Sequence, residues 1–398
     1  MSEAVMSSLA MQQPATVLAR KATASKPLRF DAWILFAALG LMALGLVMVY
    51  SASAVAAQSK LGDGFYYLKR QLMAAGVGLG TLILFMKLGY KRLAPLTYIG
   101  LFGTFFLLVA VLIPHVGYSA GGAQRWIRFP GISIQPAEIS KLALVVYLAY
   151  SLAKKRDKVK LFSIGFLPHC AVTGLMVLLC LKEKDFGTSV ALVVILFAML
   201  FAAGAKISYL VGSILLAIPI GYHQIASSPY RMNRMIAFMD PWAHRHDVGY
   251  QVAESLMSIG SGGLWGAGLG ESKQKLFFLP EAHTDFIFSI VGEELGLIGV
   301  LAVLGLFGIL IWRGMRATMN ASDPFGAYLA LGITVLFGFQ ALVNIGVTLG
   351  VLPTKGLTLP FISYGGCSLV VCCAAAGILL SISGSTGGFL RPQGGSSR

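Results

Sequence analysis

The sequence has few charged residues, and this shortage decides the class of protein. Of its 398 residues only 12% are charged, while 57% are hydrophobic. A soluble domain carries about 25% charged residues, so an ordinary soluble fold is excluded and a chain that crosses a membrane several times is indicated. Basic residues outnumber acidic ones by 31 to 16. They stand mainly between apolar runs, which suits membrane orientation, so no nucleic-acid partner is expected.

Other signals are missing as well. None of the cysteines has metal-ligand spacing with histidine, so they are interpreted as small hydrophobic residues and no metal site is expected: Cys170, Cys180, Cys367, Cys372 and Cys373. We find no cleavable signal peptide, no internal repeat, and no glycine-rich loop in the strand-then-helix context of a nucleotide site. Residues 1–30 are polar and basic and are expected to form a flexible cytoplasmic tail, with a second cytoplasmic tail at 386–398.

Apolar runs fill most of the remaining chain. A helix needs about 20 apolar residues to cross a membrane. Ten runs meet this need approximately, so residues 31–385 are predicted to form one all-α, polytopic transmembrane domain. The predicted spans are 31–52, 71–88, 94–114, 137–153, 161–181, 186–204, 207–226, 284–312, 324–350 and 357–383.

Lysine and arginine recur in alternate short loops, which sets the predicted orientation. Under the positive-inside rule these loops and both termini lie in the cytoplasm. The long loop 227–283, between the seventh and eighth spans, is then periplasmic. Within it, "YQVAESLMSIG" has a helical apolar period and is expected to lie along the membrane surface, whereas "HRHD" at 244–247 is expected to be a solvated loop.

The stretch "PEAHTDFIF", residues 280–288, places Asp285 at the outer end of the eighth span, directly after His283 and Thr284. Ionisable residues at membrane depth are costly and often functional. A carboxylate at a helix start also stabilises the helix dipole, so a purely structural role is the alternative. Glu293 and Glu294, deeper in the same span, are expected to pair with basic groups or to set helix packing.

A second cluster, "GAQRWIRFPGISIQPAEISK" at 122–141, leads into the fourth span after Gln135. Glu138 and Lys141 are one turn apart inside the hydrocarbon boundary, where a merely structural pair is expensive, although an i,i+3 pair remains the alternative. Arg125 adds anion-binding capacity, and Trp126 is interpreted as an interfacial anchor.

A third cluster, "NIGVTLGVLPTKGLTLPFISYGG" at 344–366, contains two prolines and a Gly-Gly pair that interrupt helix. Irregular backbone at membrane depth is tolerated where it is buried or lines a wet cavity. Lys355 and Ser363 are therefore candidates to face such a cavity. The alternative is a re-entrant bend without chemistry.

Together the three clusters resemble the hallmark stretches of the SEDS family of shape, elongation, division and sporulation proteins, in the family's order: "GAQRWI…QPAEISK", "LPEAHTDFIFSIVGEELG" and "LPFISYGG". The resemblance covers about residues 30–385. The basic tail and "GFYYLKRQ" point to the cell-division branch of the family rather than the elongation branch. Two positions depart from the family pattern, namely Ser133, where some members are basic, and Cys367, where a small hydroxyl residue is common.

The resemblance implies polymerisation of lipid II into glycan strands at the outer face of the bacterial inner membrane, at the division septum, with Asp285 as the catalytic carboxylate. An aspartate at an aqueous mouth can act as general base for a sugar hydroxyl. Lys141 and Arg125, or a divalent cation such as Mg²⁺ or Mn²⁺, can stabilise the departing pyrophosphate. The predicted substrate-binding residues are Lys141, Glu138, Arg125, Trp126, Gln135, His283, Thr284, Lys355 and Ser363.

The expected partners are lipid II, a class B penicillin-binding transpeptidase and other membrane proteins of the division machinery. Two other functions stay open. A lipid II flippase would want charges distributed through the bilayer or an inverted repeat, whereas the candidates here crowd toward the outer side. A scaffold would use the long outer loop only to dock partners.

Overall fold

A computed structural model describes residues 30–120, 123–129, 132–247, 249–272, 282–354 and 356–385. Within these ranges the chain forms twelve α-helices and one small sheet of three short strands. The predicted polytopic helix bundle is confirmed, and the small sheet is an addition that the sequence did not indicate. The helices are α1 Ala32–Leu61, α2 Tyr66–Leu88, α3 Leu93–Leu112, α4 Pro136–Lys154, α5 Leu167–Lys182, α6 Phe186–Ala202, α7 Ile207–Ala226, α8 Pro229–Met239, α9 Tyr250–Ser261, α10 Ile287–Asn320, α11 Pro324–Thr348 and α12 Gly366–Ser383.

Eight helical segments in the described part of the chain are long and apolar enough to cross a membrane. They correspond to α1 to α5 and α10 to α12. The sixth and seventh predicted spans coincide with the shorter apolar helices α6 and α7. The number ten therefore stays a prediction for these two elements.

Aspartate side chains satisfy the backbone at several helix starts. Asp31 accepts a hydrogen bond from the amide of Trp33 at the start of α1, and Asp185 does the same for Thr188 in α6. Asp323 accepts from the amide of Gly326, and a proline occupies the first turn of α11. Such caps stabilise a helix by about 1 kcal/mol each, and proline at the first position lacks the amide that would otherwise need a partner.

Helix α10 is broken at Gly296, whose φ of 62° lies in the left-handed region. The glycine-rich stretch 262–270 occupies the break. Its carbonyls at Gly263 and Leu264 accept from the amides of residues 297 and 298, and its amides at 267 and 268 donate to the carbonyls of residues 293 and 294. Backbone groups inside a membrane must find hydrogen-bond partners within the protein. This stretch supplies the partners for the backbone groups at the kink.

The sheet lies between the third and fourth predicted spans. Its strands are β1 Gly117–Ala120, β2 Ala123–Phe129 and β3 Ile132–Ile134, paired antiparallel in the order β1-β2-β3. It leads directly into α4, whose first residue is Pro136. The predicted start of the fourth helix after Gln135 is therefore confirmed.

One predicted span begins in the wrong place. The sequence predicts a helix from residue 357, whereas α12 starts at Gly366. Pro360 cannot donate a backbone hydrogen bond, and Phe361 has a left-handed φ of 66°. The described residues before α12, from Gly356 to Gly365, form a non-helical segment. This is the irregular backbone that the sequence indicated near the tenth span.

Candidate active site

Asp285 lies in the turn that leads into α10, and its side chain is partly exposed. The helix begins at Ile287, and its N-cap residue Phe286 makes no side-chain capping bond. The Asp285 carboxylate faces Gly356: a Cβ atom built on that glycine would lie 3.1 Å from Oδ2. A side chain at position 356 would crowd the carboxylate, so glycine keeps this approach open.

Asn344 and Ser363 hold the backbone of this turn. The Asn344 Nδ2 group donates to the carbonyls of Asp285, at 2.9 Å, and Leu357, at 2.7 Å. The Ser363 hydroxyl donates to the carbonyl of Thr284 at 2.6 Å and accepts from the backbone amide of Leu359, four residues earlier, at 2.9 Å. These described bonds assign Ser363 a positioning role, and its contact with substrate stays a prediction.

His283 belongs to an aromatic cluster beside Asp285. Its ring centroid lies 4.7 Å from that of Tyr67 and 5.6 Å from that of Tyr364, and its carbonyl accepts from the Tyr364 amide at 3.0 Å. Gln71 of α2 bonds the backbone on both sides of Tyr364. Its Nε2 group donates to the Ser363 carbonyl and its Oε1 atom accepts from the Gly365 amide, both at 3.3 Å. This packing fixes the turn before Asp285 against α2.

The predicted pair in α4 is present and deeply buried. The Lys141 Nζ atom lies 2.7 Å from Glu138 Oε1, and the two residues are only 1% and 5% exposed. Two charges in such a setting cost several kcal/mol of desolvation, which the pair offsets only with good geometry. The pair is therefore a costly feature to keep for packing alone.

Residues 356–367, which we call the junction segment, connect all three sequence clusters. Gly356 faces Asp285, Ser363 holds Thr284, and the Cys367 thiol donates to the carbonyl of Gln135 at 3.7 Å, at the start of the helix that carries Lys141. The three motifs thus meet around the junction segment, which is non-helical up to Gly365 and continues into the first turn of α12. Lys355 lies outside the described residues.

Arg125 and Trp126 lie on strand β2. The Arg125 guanidinium donates from Nε to the carbonyl of Glu183 at 3.3 Å and from Nη2 to that of Lys184 at 2.5 Å. Its described bonds therefore hold the turn between α5 and α6, and its contact with substrate phosphate stays a prediction. Trp126 pairs in register with Tyr118 of β1 and is half-buried; its place at a membrane interface also stays a prediction.

The two glutamates of α10 have serine partners. Glu293 accepts from the hydroxyls of Ser258, at 2.7 Å, and Ser272, at 2.6 Å. Glu294 accepts from Ser51 of α1 at 2.6 Å. The alternative in which these residues set helix packing therefore fits the structure, since the contacts tie α9 and α1 to α10.

Sequence reasoning missed Gln71, Asn344 and Glu183. The first two are amides next to or inside apolar spans, a signal that could have found them, because a buried amide in a membrane needs specific partners.

Helix α9 forms where "YQVAESLMSIG" predicts it, and it donates to α11 through Ser255, whose hydroxyl lies 2.8 Å from the Thr348 carbonyl.

Comparison with known proteins identifies the family. The model of the FtsW/RodA/SpoVE family, described as cell cycle protein, matches residues 32–387, and the chain belongs to this family. The chain is 48% identical over 355 residues, 89% of its length and 95% of the relative's, to the probable peptidoglycan glycosyltransferase FtsW of Geobacter metallireducens.

Solved structures agree with this assignment. A chain from a structure described as "Structural coordination of polymerization and crosslinking by a peptidoglycan synthase complex" matches with a TM-score of 0.75 and 29% identity, over 89% of this chain and 98% of that one. The rod shape determining protein RodA of Thermus thermophilus matches with a TM-score of 0.66 and 30% identity, over 89% and 97%. The predicted membership of this family is confirmed.

Proposed function

We propose that this protein is a peptidoglycan glycosyltransferase that polymerises lipid II at the outer face of the inner membrane during septal wall synthesis. The observation that carries the proposal is the junction segment, which brings the partly exposed Asp285 and the helix of the buried Lys141–Glu138 pair to one place. The names of the relatives supply the reaction class.

In the proposed reaction the acceptor's sugar hydroxyl attacks the anomeric carbon of the donor. The new glycosidic C–O bond forms as the bond between that carbon and the lipid pyrophosphate breaks, and the hydroxyl proton passes to the Asp285 carboxylate. Partial exposure of Asp285 leaves its carboxylate accessible to the acceptor hydroxyl, as a general base must be. His283 and Thr284 shape the turn that presents it.

Lys141 is proposed to stabilise the charge on the departing pyrophosphate, with Glu138 positioning its ammonium group at 2.7 Å. Preorganised charge in a site of low dielectric is among the largest contributions to catalysis. The burial of both residues supports such preorganisation.

A divalent cation remains part of the proposal as an alternative source of charge. The described residues contain no group of three or more His, Cys, Asp and Glu side chains that could hold a metal ion. Mg²⁺ is commonly held by one or two carboxylates together with substrate phosphates. Asp285 is the residue that would hold such an ion, which would supply electrostatic stabilisation of the pyrophosphate.

A class B transpeptidase partner is proposed because one matching structure is described as a complex that coordinates polymerisation and crosslinking. Other division proteins and lipid II complete the proposed partners. The proposed location is the inner membrane at the septum, with both termini cytoplasmic and residues 227–283 periplasmic. Labelling of Ser228→Cys and Ser322→Cys variants with an impermeant reagent tests this orientation; labelling at 322 but not at 228 contradicts it.

Purified protein with fluorescent lipid II, alone and with the transpeptidase, tests the function. Polymer supports the proposal, and its loss in Asp285→Asn assigns the reaction to this site. Translocation of lipid II across a vesicle membrane without polymer would establish the flippase alternative. Partner binding with neither activity would establish the scaffold.

A further inference from the structure

Glu183, in the turn between α5 and α6, is a buried acid that the mechanism above does not use. Its exposed fraction is 0%, and neither carboxyl oxygen has a hydrogen-bond partner within the described part of the chain. A buried polar group without a partner destabilises a protein, since its hydration is lost without replacement. Keeping one in this position calls for a ligand that satisfies it.

Asp185, two residues further on, shows what a structural acid looks like in the same turn. It is also buried, at 3% exposure, but its Oδ1 accepts from the Thr188 amide at 3.1 Å and its Oδ2 from the Thr188 hydroxyl at 2.9 Å. Both oxygens of Asp185 are used to start α6. The contrast distinguishes an acid that caps a helix from one whose carboxyl oxygens have no described hydrogen-bond partner.

The turn itself is held rigidly. Arg125 binds the carbonyls of Glu183 and Lys184, and Lys184 has a left-handed φ of 60°. Such backbone persists in non-glycine residues only where the surroundings enforce it, and it is frequent at functional sites. Glu183 is therefore placed by its neighbours rather than left to find its own position.

The same turn lies against the proposed active site. A Cβ atom built on Gly187, at the start of α6, would lie 3.0 Å from the Leu357 side chain and 3.6 Å from the Gly356 carbonyl. Gly356 is the residue that faces Asp285. On the other side, the Cys180 thiol contacts Ser140 and lies within electrostatic range of Lys141 as well as of Glu183.

Burial, more than the neighbouring charges, keeps the Glu183 carboxyl protonated. Burial, and next the neighbouring Asp185, raise the pKa of the Glu183 carboxyl to about 8, against the opposing effect of Arg125. Two further charged residues are near this turn. Lys141 is within electrostatic range of Cys180, which is also within electrostatic range of Glu183, and the Asp285 carboxylate faces Gly356. At neutral pH Glu183 is thus a neutral O–H donor, which can approach a phosphate oxygen without repelling it, and O–H···O⁻ bonds are strong.

We propose that Glu183 is a further substrate-binding residue, whose carboxyl group donates a hydrogen bond to a pyrophosphate oxygen of the lipid-linked substrate. This inference rests on the proposed function, because it places Glu183 in the same site as Lys141 and Asp285. It adds the α5–α6 turn, held by Arg125, to the proposed substrate site formed by the Asp285 turn and α4.

Binding of a sugar-free polyprenyl pyrophosphate to the purified full-length protein, together with thermal unfolding, tests the proposal. Glu183→Leu removes the donor and the unsatisfied group, so we expect about 10-fold weaker binding and a higher melting temperature. Glu183→Gln keeps a donor, so its binding should stay within about threefold of the original. Asp185→Ala, the matched control, should lower the melting temperature, because it removes the cap of α6.

Three results would overturn the assignment. Unchanged pyrophosphate binding by Glu183→Leu shows that no such bond forms, and weakened binding of lipid II alone shows that Glu183 contacts the sugar instead. A lower melting temperature or failure to fold in Glu183→Leu shows a structural acid. A protein that binds polyprenyl pyrophosphate through Glu183 yet makes no polymer under any condition would reject the proposed function and leave the binding assignment standing.

Discussion

Helix α10 connects two ends of the bundle whose polar groups are used differently. At the end where α1 begins, Arg313 donates from Nε to Asp31 at 2.6 Å, and Asp323 accepts from Tyr90 and from the Gly326 amide. These acids have cations, hydroxyl groups or helix amides as partners. At the Asp285 end, Asp185 also has such partners, whereas Glu183 is buried without a described partner.

The difference indicates which polar groups stabilise the fold and which are available for the proposed chemistry. Satisfied polar groups lower the free energy of the folded state, whereas an unsatisfied buried carboxyl raises it. Sites that bind charged substrates often carry such a cost. The comparison predicts that substitutions of Asp285 and Glu183 reduce activity more than stability, and that those at the Asp31 end do the reverse.

The largest expected effect is at Asp285. Asp285→Asn keeps the shape of the side chain but removes the base, so the rate of lipid II polymerisation should fall roughly 100- to 10,000-fold. Loss of a helix-start charge alone costs about 1 kcal/mol or less of stability. Polymerisation assays with thermal unfolding of the same preparation separate the two; a near-normal rate would return Asp285 to a structural role.

The buried pair in α4 should affect both properties, in a way that a double variant can separate. Lys141→Met leaves Glu138 as a buried, unpaired acid, which costs about 3–5 kcal/mol, and it should abolish polymerisation. Glu138→Gln combined with Lys141→Met removes the unpaired charge and should recover most of the stability. If the double variant also recovers polymerisation, the phosphate role of Lys141 is wrong.

At the opposite end, Arg313→Gln should lower stability by about 2 kcal/mol, because Asp31 loses a charged hydrogen-bond partner while partly buried. The rate per folded molecule should stay unchanged. Unfolding by heat in detergent and polymerisation normalised to folded protein are the measurements. A specific loss of rate in Arg313→Gln would remove the contrast between the two ends.

The smallest expected effect, taken per pH unit, is a dependence of stability on pH. The pKa of Glu183 is raised from 4.5 to about 8 on folding, so the folded state holds a proton that the unfolded state releases between these values. Stability should therefore fall by about 1 kcal/mol per pH unit as pH rises through that window. Unfolding measured from pH 5 to pH 8 should show a flatter profile for Glu183→Gln; identical profiles would mean that Glu183 is not buried as a neutral acid.

Much of the fold could be predicted from the sequence. Low charge and long apolar runs are one-dimensional properties, so the membrane bundle followed without tertiary information. The motif "QPAEISK" likewise located the start of α4 and the Glu138–Lys141 pair, because i,i+3 neighbours on a helix meet whatever the rest of the chain does.

The amino-acid sequence by itself therefore determined that this is a membrane protein, where most of its helices lie, and that Glu138 and Lys141 pair. Only the tertiary structure decided that Gly356 faces Asp285, that Asn344 bridges two carbonyls, and that Glu183 is left without a described partner. These features join residues far apart in the chain. Their hydrogen bonding and burial depend on how the helices pack, and no local pattern of side chains specifies that packing.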